Sequence, residues 1–240
     1  MNNFYQIRQK YLDIQGNIKN KKKAINYTNT LLDTKYIYHF DWFGFPIIQF
    51  PSDIIVLQEI IFKVKPDIII ECGIGRGGSL IFYSSLLSLI KKRFKIVGVE
   101  IKLGKNKNKI NKSPFAKNIK LLEGSSTSDA IIKKVKSITK NYKKPLVILD
   151  SNHTHEHVLK ELKLYSKIIN KGSYIIVLDS IIEFIKTKHN DPKKKFKKGN
   201  SPYNAIKDFL KNNSKFVIDK NWENKALITS APSGFLKKIK

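Results

Sequence analysis

From Pro66 onward the chain alternates short, continuously apolar, β-branched runs with amphipathic stretches, and few architectures accept that order. "DIIIEC", "KIVGVEI", "NIKLLEG", "PLVILD" and "GSYIIVLD" read as strands. "SLIFYSSLLSLIKK", "TSDAIIKKVKSITKN" and "EHVLKELKLYSKII" read as helices. A strand apolar at successive positions is covered on both faces, which is the signature of a parallel sheet between helical layers. The expected class is therefore α/β. Ahead of this core, residues 1–35 read as a helix around "FYQIRQKYLDI" followed by a loop, and "YIYHFDWFGFPIIQFP" as an extended aromatic segment. Ser52 is the expected cap of a helix over "DIIVLQEIIFKVK", and Ser126 or Thr127 that of the helix over "DAIIKKVKSITKN". After the last core strand come a basic loop over 186–200 and a helix with Pro202 in its first turn. "KFVID" and "KALITSA" then read as a closing pair of strands, with "GFLKKIK" as tail.

In such a sheet, ligands bind beyond the carboxyl ends of the strands. That rule gathers Glu71–Ser79, Glu100, Glu123–Ser126, Asp150–His157 and Asp179. "ECGIGRGGS" places Gly73, Gly75 and Gly78 between a strand and a helix, and Glu100 ends the next strand, where an acid can bind ribose hydroxyls. NAD and S-adenosylmethionine both fit that outline. Glu71 separates them: a carboxylate there repels a pyrophosphate and attracts a cationic amino group and sulfonium. Further on, "LDSNHTHEHVLKEL" sets Asp150, His153, His155 and His157 where a strand hands over to a helix. A strand-end carboxylate can hold a divalent cation, and an imidazole three residues later can take a proton from a hydroxyl bound beside it. Asp179, ending the neighbouring strand, is the natural second ligand.

The net charge of +27 raises nucleic acid as a partner. The cations are almost all lysine, however. Arg8, Arg76 and Arg93 are the only arginines, and arginine carries most bidentate phosphate and base recognition. No specific nucleic-acid partner is expected. The lysines also suit peripheral contact with an anionic membrane surface, and a homo-oligomer is compatible with the pattern. The single Cys72 excludes a disulfide framework. The N-terminus lacks the apolar core of a secretion signal, so a cytoplasmic protein is the simplest expectation.

Taken together, "FGFPIIQFPSD", "IIECGIGRGGSLIFYSSLL", "IVGVEI", "LLEGSST", "LVILDSNHTHEHVLKELKLYSKIINKGSYIIVLDS" and "LITSAPSGFLKKIK" resemble the cephalosporin hydroxylase family. Its members are S-adenosylmethionine-dependent O-methyltransferases, rhamnosyl O-methyltransferases among them. The resemblance runs from about Trp42 to Lys240. It implies a Rossmann-like class I methyltransferase with a mainly parallel seven-stranded sheet over 41–240, and leaves 1–40 as an N-terminal extension. It also implies S-adenosylmethionine as cofactor, with Mg²⁺ as a second one. Glu71, Gly73, Gly75, Gly78 and Ser79 would serve the methionine part, Glu100 the ribose, and Gly124, Ser125 and Ser126 the adenine. Asp150 and Asp179 would be metal ligands, and His153 the general base. The acceptor would be a sugar hydroxyl on a glycan, glycolipid or nucleotide sugar. Related sequences commonly end the fifth core strand with Glu-Asp; here the pair is Leu178–Asp179. Either water or Glu183 would then complete a metal shell, or metal affinity is weak, or the reaction runs without metal. An RNA methyltransferase or other nucleic-acid-binding protein, an NAD(P)-dependent oxidoreductase, and a family member that binds cofactor without catalysis are the alternatives.

Overall fold

The computed structural model of the chain describes residues 2–186 and 195–240. Most of the basic loop expected over 186–200 lies outside them.

The expected strands form at β3 (Ile68–Cys72), β4 (Lys95–Glu100), β5 (Ile119–Glu123), β6 (Pro145–Leu149) and β7 (Tyr174–Val177). They are joined by β8 (Phe216–Ile218) and β9 (Phe235–Lys238) in one sheet of order β5-β4-β3-β6-β7-β9-β8. All pairs from β5 to β7 are parallel, while β9 runs antiparallel to both β7 and β8. This is the seven-stranded, mainly parallel sheet the sequence implied.

Because successive strand residues face opposite ways, each strand feeds two cores. Ile69, Ile148 and Ile176 pack under α3 (Pro51–Val64) and α4 (Gly78–Ile90). Ile68, Ile70, Val147 and Val177 pack on the other face against residues of α6 (Asp129–Thr139), α7 (His155–Tyr165) and α8 (Pro202–Lys211). The same alternation decides where the polar residues go. Glu71 falls on the α4 face, two residues after Ile69; Asp150 follows Ile148 on that face, and Ser151 follows Leu149 on the other.

Four local expectations are corrected. Residues 18–33 are not a loop but a second helix: α1 (Asn2–Gln15) is followed by α2 (Ile18–Asp33), capped by the Asn17 side chain. Its buried face is Ala24, Thr28 and Asn29, too polar to show as an apolar stripe. A short hairpin, β1 (Asp41–Trp42) with β2 (Phe45–Pro46), interrupts the extended aromatic segment. Ser52 is no cap: α3 already begins at Pro51, and the Ser52 hydroxyl donates to the Ile228 carbonyl. The cap of α6 is Ser128, which accepts from Ile131 N; Ser126 is engaged in a buried cluster and Ser125 pairs with Thr127.

The C-terminal strand lies later than expected. Residues 220–226 form α9 (Lys220–Ala226), since Trp222 and Ala226, one turn apart, bury into the α3–α4 core. Thr229 and Ser230 then turn inward to the Asp53 carboxylate of α3, the former through its hydroxyl and the latter through its N–H at 2.8 Å. That turn takes "LITSA" out of reach of the sheet. "FLKK", read as tail, is instead the strand that pairs with β7 and β8. The sequence reading also missed α5 (Asn106–Asn111), which lies between β4 and β5.

Candidate active site

The sheet order turns at β3, with β4 on one side and β6 on the other, so the cleft forms beyond the carboxyl ends of those strands. Hydrogen bonding continues past the strands into this cleft. Gly73 N donates to Val99 O at 2.8 Å, Gly124 N to Glu100 O at 2.8 Å, Asp150 N to Cys72 O at 2.7 Å and Leu178 N to Leu149 O at 3.0 Å. Gly73 adopts φ +85°, and a Cβ there would run into the backbone carbonyl of Asp150. Glycine at 73 is thus fixed by the approach of two loops. Gly75, φ +49°, faces open space. At Gly78 a Cβ would meet the Pro46 carbonyl, so its immediate role is to seat the β1–β2 hairpin on α4.

Glu71 is fully enclosed. Its carboxylate accepts from Ser79 Oγ at 2.6 Å and Tyr83 OH at 2.9 Å. Burial pushes its pKa up to about 7, the two hydroxyl donors opposing that rise and the nearby Glu100 adding to it. Glu71 therefore sits beneath the cleft, and Ser79, which lines it, is the hydroxyl between them. Glu100 closes the glycine loop: Ile74 N donates to one oxygen at 3.0 Å and Ile101 N to the other at 2.9 Å. From α5, Asn106 donates to the Gly75 carbonyl at 2.9 Å and latches the same loop.

At the other wall, one ligand atom each from Asp150, His153 and Asp179 lie within 4.8 Å of one another. His153 Nε2 is 3.3 Å from Asp179 Oδ2, and the His153 ring meets Phe196 edge-on, centroids 5.1 Å apart. Burial holds the Asp150 carboxyl well above the usual carboxylate range, and the charge of Asp179 adds to the effect. Asp179 itself has φ +56°, a left-handed conformation that aspartate tolerates better than most residues. Glu183 does not join the trio. It accepts from Gly199 N at 3.0 Å and Ser201 Oγ at 2.8 Å. Leu178 is buried in the core beside the site.

The three histidines of the handover segment part company. His155 turns to α8, with Nε2 2.9 Å from Asp208 Oδ2. His157 lies on the far face of the sheet. There its Nε2 is 3.0 Å from Ser126 Oγ and 3.3 Å from Ser151 Oγ, and both hydroxyls donate to the buried Glu161. Tyr165 OH donates to Ser126 O at 3.0 Å. This cluster ties the expected adenine loop, Gly124–Ser126, to α7, and engages the Ser126 side chain below the cleft. The sequence reading missed it. Its one signal was Glu161, an acid inside the apolar stripe of Val158, Leu162 and Tyr165.

A cavity of about 620 Å³ joins the glycine loop to the wall that carries Asp150, His153 and Asp179, and Glu100 and Gly124–Ser126 are not among its lining residues. Gly75, Ser79, Asp150, His153 and Asp179 line it, and Leu32, Lys35 and Tyr38 of the N-terminal arm form another part of its wall. Arm residues thus reach the site itself.

A sheet of this order, with a glycine loop after β3 and an acid ending β4, is the architecture of the Rossmann-like methyltransferases. The family described as Rhamnosyl O-methyltransferase/CmcI matches residues 34–239, and the chain belongs to that family. It is accordingly an S-adenosylmethionine-dependent O-methyltransferase. The rhamnosyl O-methyltransferase of Mycobacterium tuberculosis (strain ATCC 25618 / H37Rv) is 32% identical over 189 residues, covering 77% of this chain and 72% of that protein. The rhamnosyl O-methyltransferase of Mycobacterium leprae (strain TN) is 30% identical over 197 residues, covering 81% of each. Among solved structures, cmcI-D160 with Mg and SAM superposes with a TM-score of 0.62 at 17% identity, over 85% of this chain and 78% of that one. An O-methyltransferase from Bacillus cereus in complex with SAH gives 0.51 at 14% identity, over 81% of each. At these identities the two structures support the fold. Among the described residues, no helix is long and apolar enough to cross a membrane.

Proposed function

We propose that the protein methylates a sugar hydroxyl of a rhamnose-bearing glycan or glycolipid, with His153 as general base. The observation that carries this reading is the Asp150–His153–Asp179 trio facing the same cavity as the glycine loop. The curated relatives act on rhamnosyl groups by name, which supports the acceptor class.

The donor set suits Mg²⁺, which is commonly held by one or two carboxylates and keeps several waters. Asp150 and Asp179 would hold it, and water would stand where Leu178 replaces the expected second acid. Two acids within 4.8 Å, one of them shifted up by burial and by the other's charge, also mark a place where a cation relieves repulsion. Bound there, Mg²⁺ would make the acceptor hydroxyl more acidic; the cofactor would supply an electrophilic methyl group. Asp150 and Asp179 would orient the acceptor oxygen, and His153 would take its proton as the methyl group passes from sulfur to that oxygen. S-adenosylhomocysteine and a methyl ether are the products. Glu71, through Ser79, supplies negative charge beside the cationic end of the cofactor. Glu100 retains lone pairs that would meet the ribose hydroxyls, and Gly124–Ser126 would border the adenine.

Titration calorimetry with S-adenosylhomocysteine should show a Kd on the order of micromolar, about 8 kcal/mol. Glu100→Ala should weaken it about tenfold or more, because ribose hydroxyls lose their acceptor. Mass spectrometry of glycans from cells with and without the gene should differ by one O-methyl group on a deoxyhexose. NAD binding without any response to S-adenosylhomocysteine, or a methyl found on RNA instead, would overturn the reading.

A further inference from the structure

Helix α1 meets the body through polar groups and turns its apolar residues outward. Arg8 pairs with Glu59 of α3 at 3.4 Å, Gln9 donates to Asn221 at 3.3 Å, and Gln15 donates to the Asn224 carbonyl of α9 at 2.6 Å. Phe4, Ile7, Tyr11 and Ile14 follow at spacings of three and four, one stripe along the helix, and are 66%, 47%, 62% and 49% exposed. Ile55 and Phe62 lie on the same side of α3 as Glu59, the residue Arg8 reaches, and are also exposed. A soluble monomer seldom leaves so many large apolar side chains together in water.

We propose that this face docks on an anionic lipid bilayer. The charge around it selects the occupant. Residues 1–35 carry seven Lys or Arg and two Asp. Lys10 neighbours Ile7 and Ile14 on the helix surface, and Lys19, Lys22 and Lys23 are exposed at the start of α2. A second copy of the chain would bring another +27 against this face, whereas an anionic headgroup layer offers the opposite sign. An amphipathic helix with an aromatic and aliphatic stripe and basic flanks is built to lie in a membrane interface. The arm also runs from this stripe to the cavity wall at Leu32, Lys35 and Tyr38. Docking would bring the chain to the surface that carries lipid-borne acceptors, which narrows the acceptor class proposed above toward glycolipids.

The test is flotation of the full chain with phosphatidylcholine vesicles, with and without a one-third share of phosphatidylglycerol. The chain should float with the anionic vesicles, less strongly as salt rises. Ile7→Ser with Ile14→Ser should weaken this about tenfold or more, since both lose the buried apolar area. Unchanged S-adenosylhomocysteine affinity in that variant shows that it is folded. The proposal is overturned if the chain stays with neither vesicle, or if the double variant floats as well as the parent, which would assign binding to lysines alone. It is overturned too if light scattering finds a dimer that the double variant loses, because a second copy would then cover the stripe. The flotation needs neither cofactor nor acceptor, so its failure leaves the methyl-transfer reading standing.

Discussion

His153→Ala should leave S-adenosylhomocysteine affinity unchanged and lower methyl transfer by about 10²–10⁴, the range for removing a general base. The geometry explains the separation of effects. His153 stands with Asp150 and Asp179 on one wall of the cavity, while Glu71, Ser79 and Glu100 belong to the glycine-loop side. His155→Ala should matter much less, since that ring is turned toward Asp208 on α8. Asp150→Asn should reduce turnover as severely as His153→Ala, by loss of the carboxylate that holds the acceptor or its cation. The 3.3 Å approach of His153 to Asp179 raises a second role, because the imidazole also lies within reach of a shared ion. Metal titration of the EDTA-treated protein separates the two roles. If His153→Ala needs the same Mg²⁺ concentration for half-maximal residual activity, His153 is the base. A large rise in that concentration makes it a ligand. Near-full activity in His153→Ala would remove both.

Glu71→Gln should stabilise the protein at pH 8 and weaken cofactor binding at the same time. The folded pKa of Glu71 is raised from 4.5 to about 7. Between those values the folded chain keeps a proton that the unfolded chain has already lost, so stability falls as pH rises through this window. Above pH 7 the full cost stands, about 3 kcal/mol at ~1.4 kcal/mol per pH unit. Glutamine removes it. The expected gain in Tm at pH 8 is roughly 5–10 °C, shrinking toward zero below pH 4.5, where the parent carboxyl is also neutral in both states. On the role proposed for Glu71, the ionised acid is the form that attracts the ammonium group of the cofactor. Parent affinity for S-adenosylhomocysteine should therefore climb between pH 6 and 8, and Glu71→Gln should bind about tenfold to a hundredfold more weakly with that climb lost. Calorimetry across this range checks both. A variant no more stable at pH 8 than its parent would show that the Ser79 and Tyr83 hydroxyls already repay the burial of the charge.

The sheet was legible because β-branched runs of about five residues admit little else, and the strand-end rule then pointed to Gly75, Gly78, Ser79, Asp150, His153 and Asp179, which line one cavity, while Glu71, Glu100 and Gly124–Ser126 are not among its lining residues. The periphery was less legible for separate physical reasons. α2 is held by Ala24, Thr28 and Asn29, whose burial depends on partners far along the chain, such as the Lys186 amide that donates to Asn29. "LITSA" has strand-like composition, but Asp53 captures Thr229 and Ser230 and takes their backbone away from the sheet. In the site, the strand-end rule set Glu71 at the cleft, yet only the positions of Ser79 and Tyr83 on α4 show that it is enclosed beneath it. The Ser126–Ser151–His157–Glu161 cluster joins three segments on the opposite face, and local sequence carries no sign of that meeting beyond a misplaced acid.

The hydrogen bonds that run on past the strand ends, at Gly73, Gly124, Asp150 and Leu178, give the cleft the stiffness of the sheet rather than of its loops. The glycine-loop wall and the wall that carries Asp150 are then parts of a single frame. In the reaction proposed above, little chain disorder would remain to be removed when a ligand arrives, leaving its binding energy for aligning methyl, oxygen and imidazole. The same rigidity limits how the family can diversify here. A side chain at position 73 would press on the Asp150 carbonyl and move the acid along with the loop. New acceptors are more readily accommodated by changing what closes the cavity from outside, the arm and the hairpin, than by redrawing its floor.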